Sequence, residues 1–178
     1  NKKIPDHINR QKNLTTFFPG STIGNFDPQD AIQFLKRVKS QFCSSKMIIG
    51  VDLVKNKKTL EKAYNDELGV TSKFNKNILK RMNKELDANF DLDSFRHKAF
   101  FNEEKSRIEM HLISEKKQSV AVGDINFLFE EKEHVHTESS YKYKLSSFEK
   151  LANEAGWSVS KVWTDKDQFF SVQYLVHQ

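Results

Sequence analysis

Apolar residues recur along this chain in three regimes: short continuous runs, helical stripes and strict alternation. The first run, "NLTTFFPG" at residues 13–20, reads as a short buried strand that ends at Pro19-Gly20. Asp27-Pro28 marks a helix start, because an Asp carboxylate caps N–H groups and Pro suits the first helical position. In "PQDAIQFLKRVKSQF" the apolar residues fall at 31, 32, 34, 35, 38 and 42, which gives one inward helical face. "KMIIGVDLV" is continuous and β-branched, as expected of a central strand covered on both faces. Strand, helix and strand of these lengths form a βαβ unit and imply a parallel sheet.

The middle of the chain has a different pattern. "KTLEKAYNDELG" predicts a helix that stops at Gly69. "TSKFNKNILKRMNKELDANF" predicts a second helix whose inward face carries Phe74, Ile78, Leu79, Met82 and Leu86. Antiparallel strands follow. "RIEMHLIS" alternates, "SVAVGDINFLFEE" reads as a hairpin turning at Gly123-Asp124, and "EHVHTESS" alternates again. "KLSSFEKLANEAGW" returns to a helix, capped by Ser146 or Ser147 and stopped at Gly156. "SVSKVWTDKDQFFSVQYLVHQ" predicts two antiparallel strands at a sheet edge. The pattern therefore divides the chain. Residues 1–54 and 145–178 belong to an α/β sheet, and residues 55–144 form an α+β insertion.

Composition narrows the class. The chain has 178 residues, 37% of them hydrophobic, which supplies a core and argues against global disorder. No apolar run is long enough to span a bilayer, so no membrane partner is expected. The net charge of +5 comes from 29 basic and 24 acidic residues that are interleaved. "KNKK" at 55–58 and "EEKE" at 130–133 nearly offset one another, so the charge reads as a solvated surface and no nucleic-acid partner is expected. The single Cys43 excludes an internal disulfide, and the polar stretch at the start of the given residues leads us to expect no signal peptide. Both features predict a cytoplasmic protein.

Several chemistries lack their signature. Neither GxGxxG, GxxxxGK[ST], CxxC nor GxSxG occurs. His134 and His136 form an HxH pair on one strand face, extended by Glu138, but a third metal ligand at a known spacing is missing, so no metal is expected. His97, His111 and His177 read as surface or half-buried residues. Polar groups at element ends remain. Asn25 closes a Gly-rich turn after a buried strand, where open α/β sheets bind ligands, and Gly20 permits close backbone approach. Tyr64 sits near a helix end. Glu138 and Ser140 lie two apart on a strand and face one way, an acceptor beside a donor-acceptor. From pattern alone each also fits a structural role in a turn, a packed helix end or an edge strand.

Taken together, "FFPGSTIGNF", "IIGVDLVK", "LEKAYNDELGVTSKFNKNILKRMNKEL", "FRHKAFFNEEKSRIEMHL", "HTESSYKY" and "VWTDKDQFFSVQYL" resemble the carboxyl-terminal part of the histidine-specific, S-adenosylmethionine-dependent methyltransferase family of ergothioneine biosynthesis. The motifs run in family order from Phe17 to Leu175. The resemblance implies the C-terminal half of a class I (Rossmann-like) methyltransferase sheet with an inserted substrate-recognition subdomain. It implies N-methylation of the α-amine of L-histidine, with S-adenosylmethionine as methyl donor.

Residue by residue, the resemblance puts Gly20 between cofactor and substrate and Asn25 on the substrate carboxylate. Tyr64 shares that carboxylate, Thr71 and Phe74 lie beside it, and Met110 lines the pocket. Glu138 and Ser140 read the imidazole ring. No residue matches a general base. The Gly-rich first strand and the ribose-binding acid of the family have no counterpart here, so most of the cofactor site is expected outside this chain, which alone is expected to be inactive. A sheet lacking its first strands exposes an edge able to pair with a second copy. Two alternatives stay open: an inactive fragment serving as an interaction or scaffold module, and methylation of another aromatic amino acid.

Overall fold

The computed structural model describes residues 14–41 and 46–177. The expectations for residues 1–13, for Phe42 and for Cys43 fall outside the described residues. The chain divides into two compact units, residues 1–55 with 140–178 and residues 56–139. The sequence-based boundaries were 54/55 and 144/145.

The first unit is built on a four-stranded mixed sheet. β1 (Thr15–Phe18) and β2 (Lys46–Asp52) are parallel and are joined through helix α1 (Pro28–Gln41), as the βαβ pattern predicts. β8 (Trp157–Thr164) and β9 (Phe170–His177) form an antiparallel pair; β9 lies against β2 and β8 lies outside it. This mixed α/β sheet agrees with the expected class I methyltransferase half-sheet. Ala31, Ile32, Leu35 and Val38 are the buried stripe of α1, and they join Met47, Ile49, Val51, Leu175 and Trp157 in one apolar cluster. Helix α4 (Leu145–Glu154) adds Phe148, Leu151 and Ala152.

α4 departs from expectation at its start. Lys144 is the capping residue and makes no side-chain cap bond, so neither Ser146 nor Ser147 caps. Helical backbone begins at Leu145, which leaves both serines inside the first turn. Gly156 ends the helix as predicted, with φ of 81°.

The second unit holds helices α2 (Lys57–Tyr64) and α3 (Val70–Glu85), a three-stranded sheet in the order β3-β4-β7 and the hairpin β5-β6. The strands are β3 (Phe95–Asn102), β4 (Arg107–Ser114), β5 (Gln118–Val122), β6 (Ile125–Phe129) and β7 (His134–Tyr141), the last of which continues into the first unit. The hairpin turns at Gly123-Asp124, as predicted. Three expectations are corrected here. α2 ends at Tyr64, because Asn65 leaves the helix and turns its side-chain amide onto the Ala99 backbone; Gly69 instead caps the start of α3. The inward face of α3 is Asn75 and Leu79 with Met82, while Phe74, Ile78 and Leu86 are exposed. A buried hydrogen-bonding Asn rotates the helix away from its apolar stripe. Finally, all of "RIEMHLIS" is buried, because β4 is the central strand, covered on both faces.

Candidate functional site

In the first unit Gly20 and Asn25 lie in the turn at the carboxyl end of β1, and Ser140 lies near the end of β7. The turn after β1 places two successive residues in the left-handed region, Gly20 at φ 74° and Ser21 at φ 56°. That conformation favours glycine, and Gly20 is exposed with open space where a Cβ would stand. Gly24, in the 3-10 turn Thr22–Asn25, answers a second need: a Cβ there would lie 2.7 Å from the Tyr141 carbonyl. Asn25 ends the turn exposed to solvent. Ser21 Oγ accepts a hydrogen bond from the Asp52 backbone N–H at 2.8 Å, which ties this turn to the end of β2.

A buried polar network continues from that tie. Asp52 pairs with Lys55 and, through Oδ2, with Lys142 at 2.9 Å. Lys142, with a side chain only 1% exposed, also donates to Ser140 Oγ at 2.8 Å. Gly20 and Ser140 are therefore linked through Ser21, Asp52 and Lys142. Sequence reasoning missed Ser21, Asp52 and Lys142. The available signals were an acid closing the apolar run "IIGVD" and a lysine between two tyrosines in "YKY".

In the second unit Tyr64 is the last residue of α2. It is partly buried against the apolar cluster of Leu60, Ala99, Phe101, Ile108 and Met110. The Tyr64 carbonyl meets His97 Nε2 at 2.9 Å. Thr71 lies in the first turn of α3 and Phe74 at the start of the second, and Asp66 accepts the backbone N–H groups of Val70 and Thr71, each at 2.8 Å. A bond from the Thr71 side chain, followed by those two backbone bonds, holds the Asp66 carboxyl down at about 2. Phe74 itself is 64% exposed. Glu138 is half-buried on β7, and its carbonyl accepts from His136 Nε2 at 3.0 Å.

Beside these stands a charged cluster that the sequence reading did not assemble. On β4, Glu109 Oε1 accepts from Arg107 at 2.8 Å and from Asn102 at 3.1 Å, and Oε2 lies 3.3 Å from His111 Nε2. Burial pushes the Glu109 carboxyl up, but the Arg107, His111 and Asn102 donors outweigh it and leave it below its ordinary value. His111 is buried, which corrects the expectation of a surface or half-buried residue. Burial pushes its imidazole down, more strongly than Glu109 draws it up. Its ring stacks between Phe100, at 5.2 Å, and His136, at 4.8 Å. The HxH motif thus gains partners from a neighbouring strand, which spacing along one strand could not reveal.

With this geometry in view, sequence comparison defines the class: the chain belongs to the histidine-specific, SAM-dependent methyltransferase family, whose model matches residues 1–177. Among individual relatives it is similar to a histidine N-alpha-methyltransferase from Mycolicibacterium smegmatis, 37% identical across 98% of this chain and 54% of the relative. It is similar also to a histidine N-alpha-methyltransferase from Mycobacterium tuberculosis, 39% identical across 84% of this chain and 47% of the relative. The chain spans about half the length of these curated relatives. Among solved structures, an S-adenosylmethionine-dependent methyltransferase from Clostridium acetobutylicum aligns over 94% of this chain and 59% of its own, at 12% identity and a TM-score of 0.49.

Proposed function

We propose that the protein carrying this chain is an S-adenosylmethionine-dependent N-methyltransferase that acts on the α-amine of L-histidine in the cytoplasm. The observation that carries the proposal is the Gly20–Asn25 turn at the carboxyl end of β1, in a chain of this family. Bound there, the cofactor supplies an electrophilic methyl group on a sulfonium. The open face of Gly20 fits such a neighbour, since no side chain intervenes. Residues 55–144 act as the substrate-recognition subdomain.

The chain's own residues then have three tasks. Asn25 and the Tyr64 phenol donate hydrogen bonds to the substrate carboxylate. Thr71, Phe74 and Met110 wall the amino-acid slot and exclude water. Glu138 accepts the imidazole N–H and Ser140 serves the other ring nitrogen. Methyl transfer to a neutral amine is an in-line displacement, so alignment and desolvation supply the rate enhancement. Loss of the amine's proton, to solvent or to a carboxylate, precedes the displacement.

The test is Asn25→Ala in the complete gene product. A hydrogen bond to a charged group contributes about 1.5–3 kcal/mol, so histidine affinity should fall by about one to two orders of magnitude. Calorimetric affinity for S-adenosylmethionine should change far less. Unchanged histidine affinity removes Asn25 from the site.

A further inference from the structure

We propose that Glu109, His111 and His136 form a binding site for a borderline divalent cation such as Zn²⁺, independent of the methyl-transfer reading. One ligand atom from each of the three lies within 4.8 Å of the others. Two imidazoles and one carboxylate are the donor set that suits Zn²⁺, while hard cations such as Mg²⁺ prefer oxygen alone.

The local hydrogen bonds point the right atoms at the cation. The Oε1 atom of Glu109 is occupied by Arg107 and Asn102, which keeps the group ionised and turns Oε2 toward His111. The Oε2 to Nε2 separation is 3.3 Å, long for a bond to a carboxylate. It matches the roughly 3.4 Å between two ligands of a tetrahedral Zn²⁺ with bonds of about 2.0–2.2 Å. His111 Nδ1 is buried with no partner, so nothing pins the tautomer. The proton can therefore reside on Nδ1 while Nε2 presents its lone pair.

His136 is fixed in the complementary way. Its Nε2 donates to the Glu138 carbonyl at 3.0 Å, which leaves the lone pair on Nδ1. Ser139 Oγ lies 3.2 Å from the same Nε2, and the exposed ring stacks on that of His111 at 4.8 Å. The fourth position is open to water or to His134, whose ring lies 5.3 Å from that of His111. Arg107 opposes binding, since its positive charge sits against Glu109, and Lys98 over Phe100 adds to it. Affinity is therefore expected in the micromolar range rather than at the level of dedicated structural zinc sites. A bound ion would join β4 to β7.

The experiment titrates Zn²⁺ into the 178-residue chain at neutral pH against a chromophoric chelator, with Mg²⁺ in parallel. The expected result is one saturable micromolar Zn²⁺ per chain and no Mg²⁺ binding. His136→Asn, at an exposed position that does not endanger folding, should weaken Zn²⁺ by at least about 10-fold, and Glu109→Gln likewise. His177→Asn should bind as wild type. Zn²⁺ at about 100 times its Kd should raise the unfolding temperature of wild type but not of His136→Asn. Absence of saturable binding to wild type, or wild-type affinity in both His136→Asn and Glu109→Gln, overturns the proposal.

Discussion

Each of the two compact units has an interior of its own chemistry. The first closes around a single apolar cluster in which Trp157, Phe148, Leu35, Met47 and Ile49 are all fully buried. Its deep side chain-to-backbone ties include Trp157 Nε1 donating to the Leu35 carbonyl at 3.0 Å and Ser171 Oγ donating to the Val51 carbonyl at 3.2 Å. The second divides its apolar residues between two smaller clusters, one around Met110 and one around Phe95. Polar ties that converge on one buried side chain join its layers. Asn75 meets His97 Nδ1 at 3.0 Å, donates to the His111 carbonyl and accepts from Thr137, which lies also on the Met110 carbonyl. A core of the first kind tolerates polar change on its surface and resists loss of volume poorly. A core of the second kind depends on single hydrogen-bonding side chains whose removal strands several buried partners.

The sharpest way to break this contrast is in the first unit. Trp157→Ala deletes the largest fully buried side chain and should destabilise the protein by about 3–5 kcal/mol, read by urea unfolding. A loss below ~1 kcal/mol would mean that the cluster is not the principal source of stability. In the second unit, Asn75→Ala should cost about 2–3 kcal/mol, because buried groups are left without partners. Phe74→Ala, one position away and exposed, should cost less than ~0.5 kcal/mol. The reverse order would restore the apolar stripe as the inward face of α3.

A smaller effect concerns the start of α3. Asp66 is held at about 2 in the folded state, below its ordinary value, chiefly by bonds from Thr71 and Val70. A depressed carboxyl contributes stability that is fully present above the unfolded-state value near ~3.9 and is lost as pH falls toward the folded one. The Asp66 carboxyl resonance should therefore titrate near 2, and amide exchange at Val70 and Thr71 should quicken over that window. Asp66→Asn should abolish that pH dependence while leaving the first unit's protection unchanged.

The same contrast explains how much was legible in the sequence. Where apolar positions alone decide, pattern suffices: the βαβ order, the α1 face, the Gly156 stop and the Gly123-Asp124 turn all appear as read. Where buried polar groups decide, it fails. Asn75 is inward because its amide is needed there, and no periodicity announces that. Asn65 ends α2 early for a similar reason. β4 alternates in polarity and is nevertheless buried throughout, because Arg107 and His111 both pair with Glu109. The turn carrying Gly20 and Asn25 was readable from Pro, Gly and Asn, yet the Ser21–Asp52–Lys142–Ser140 network behind it joins residues more than a hundred positions apart. The functional roles rested on resemblance, since the same residues fit structural roles by pattern.

The central claim is that Glu138 and Ser140 read an imidazole ring while Asn25 and Tyr64 hold the part common to all amino acids. It is tested by methylation rates over substrate concentration for histidine, tryptophan and phenylalanine, comparing the wild-type gene product with Glu138→Ala/Ser140→Ala. A buried ring N–H left unpaired costs about 1–3 kcal/mol, so kcat/KM for histidine should fall by about one to two orders of magnitude. The values for tryptophan and phenylalanine should change far less, narrowing or reversing the preference. An equal fall for all three amino acids would contradict the account and make Glu138 and Ser140 structural residues.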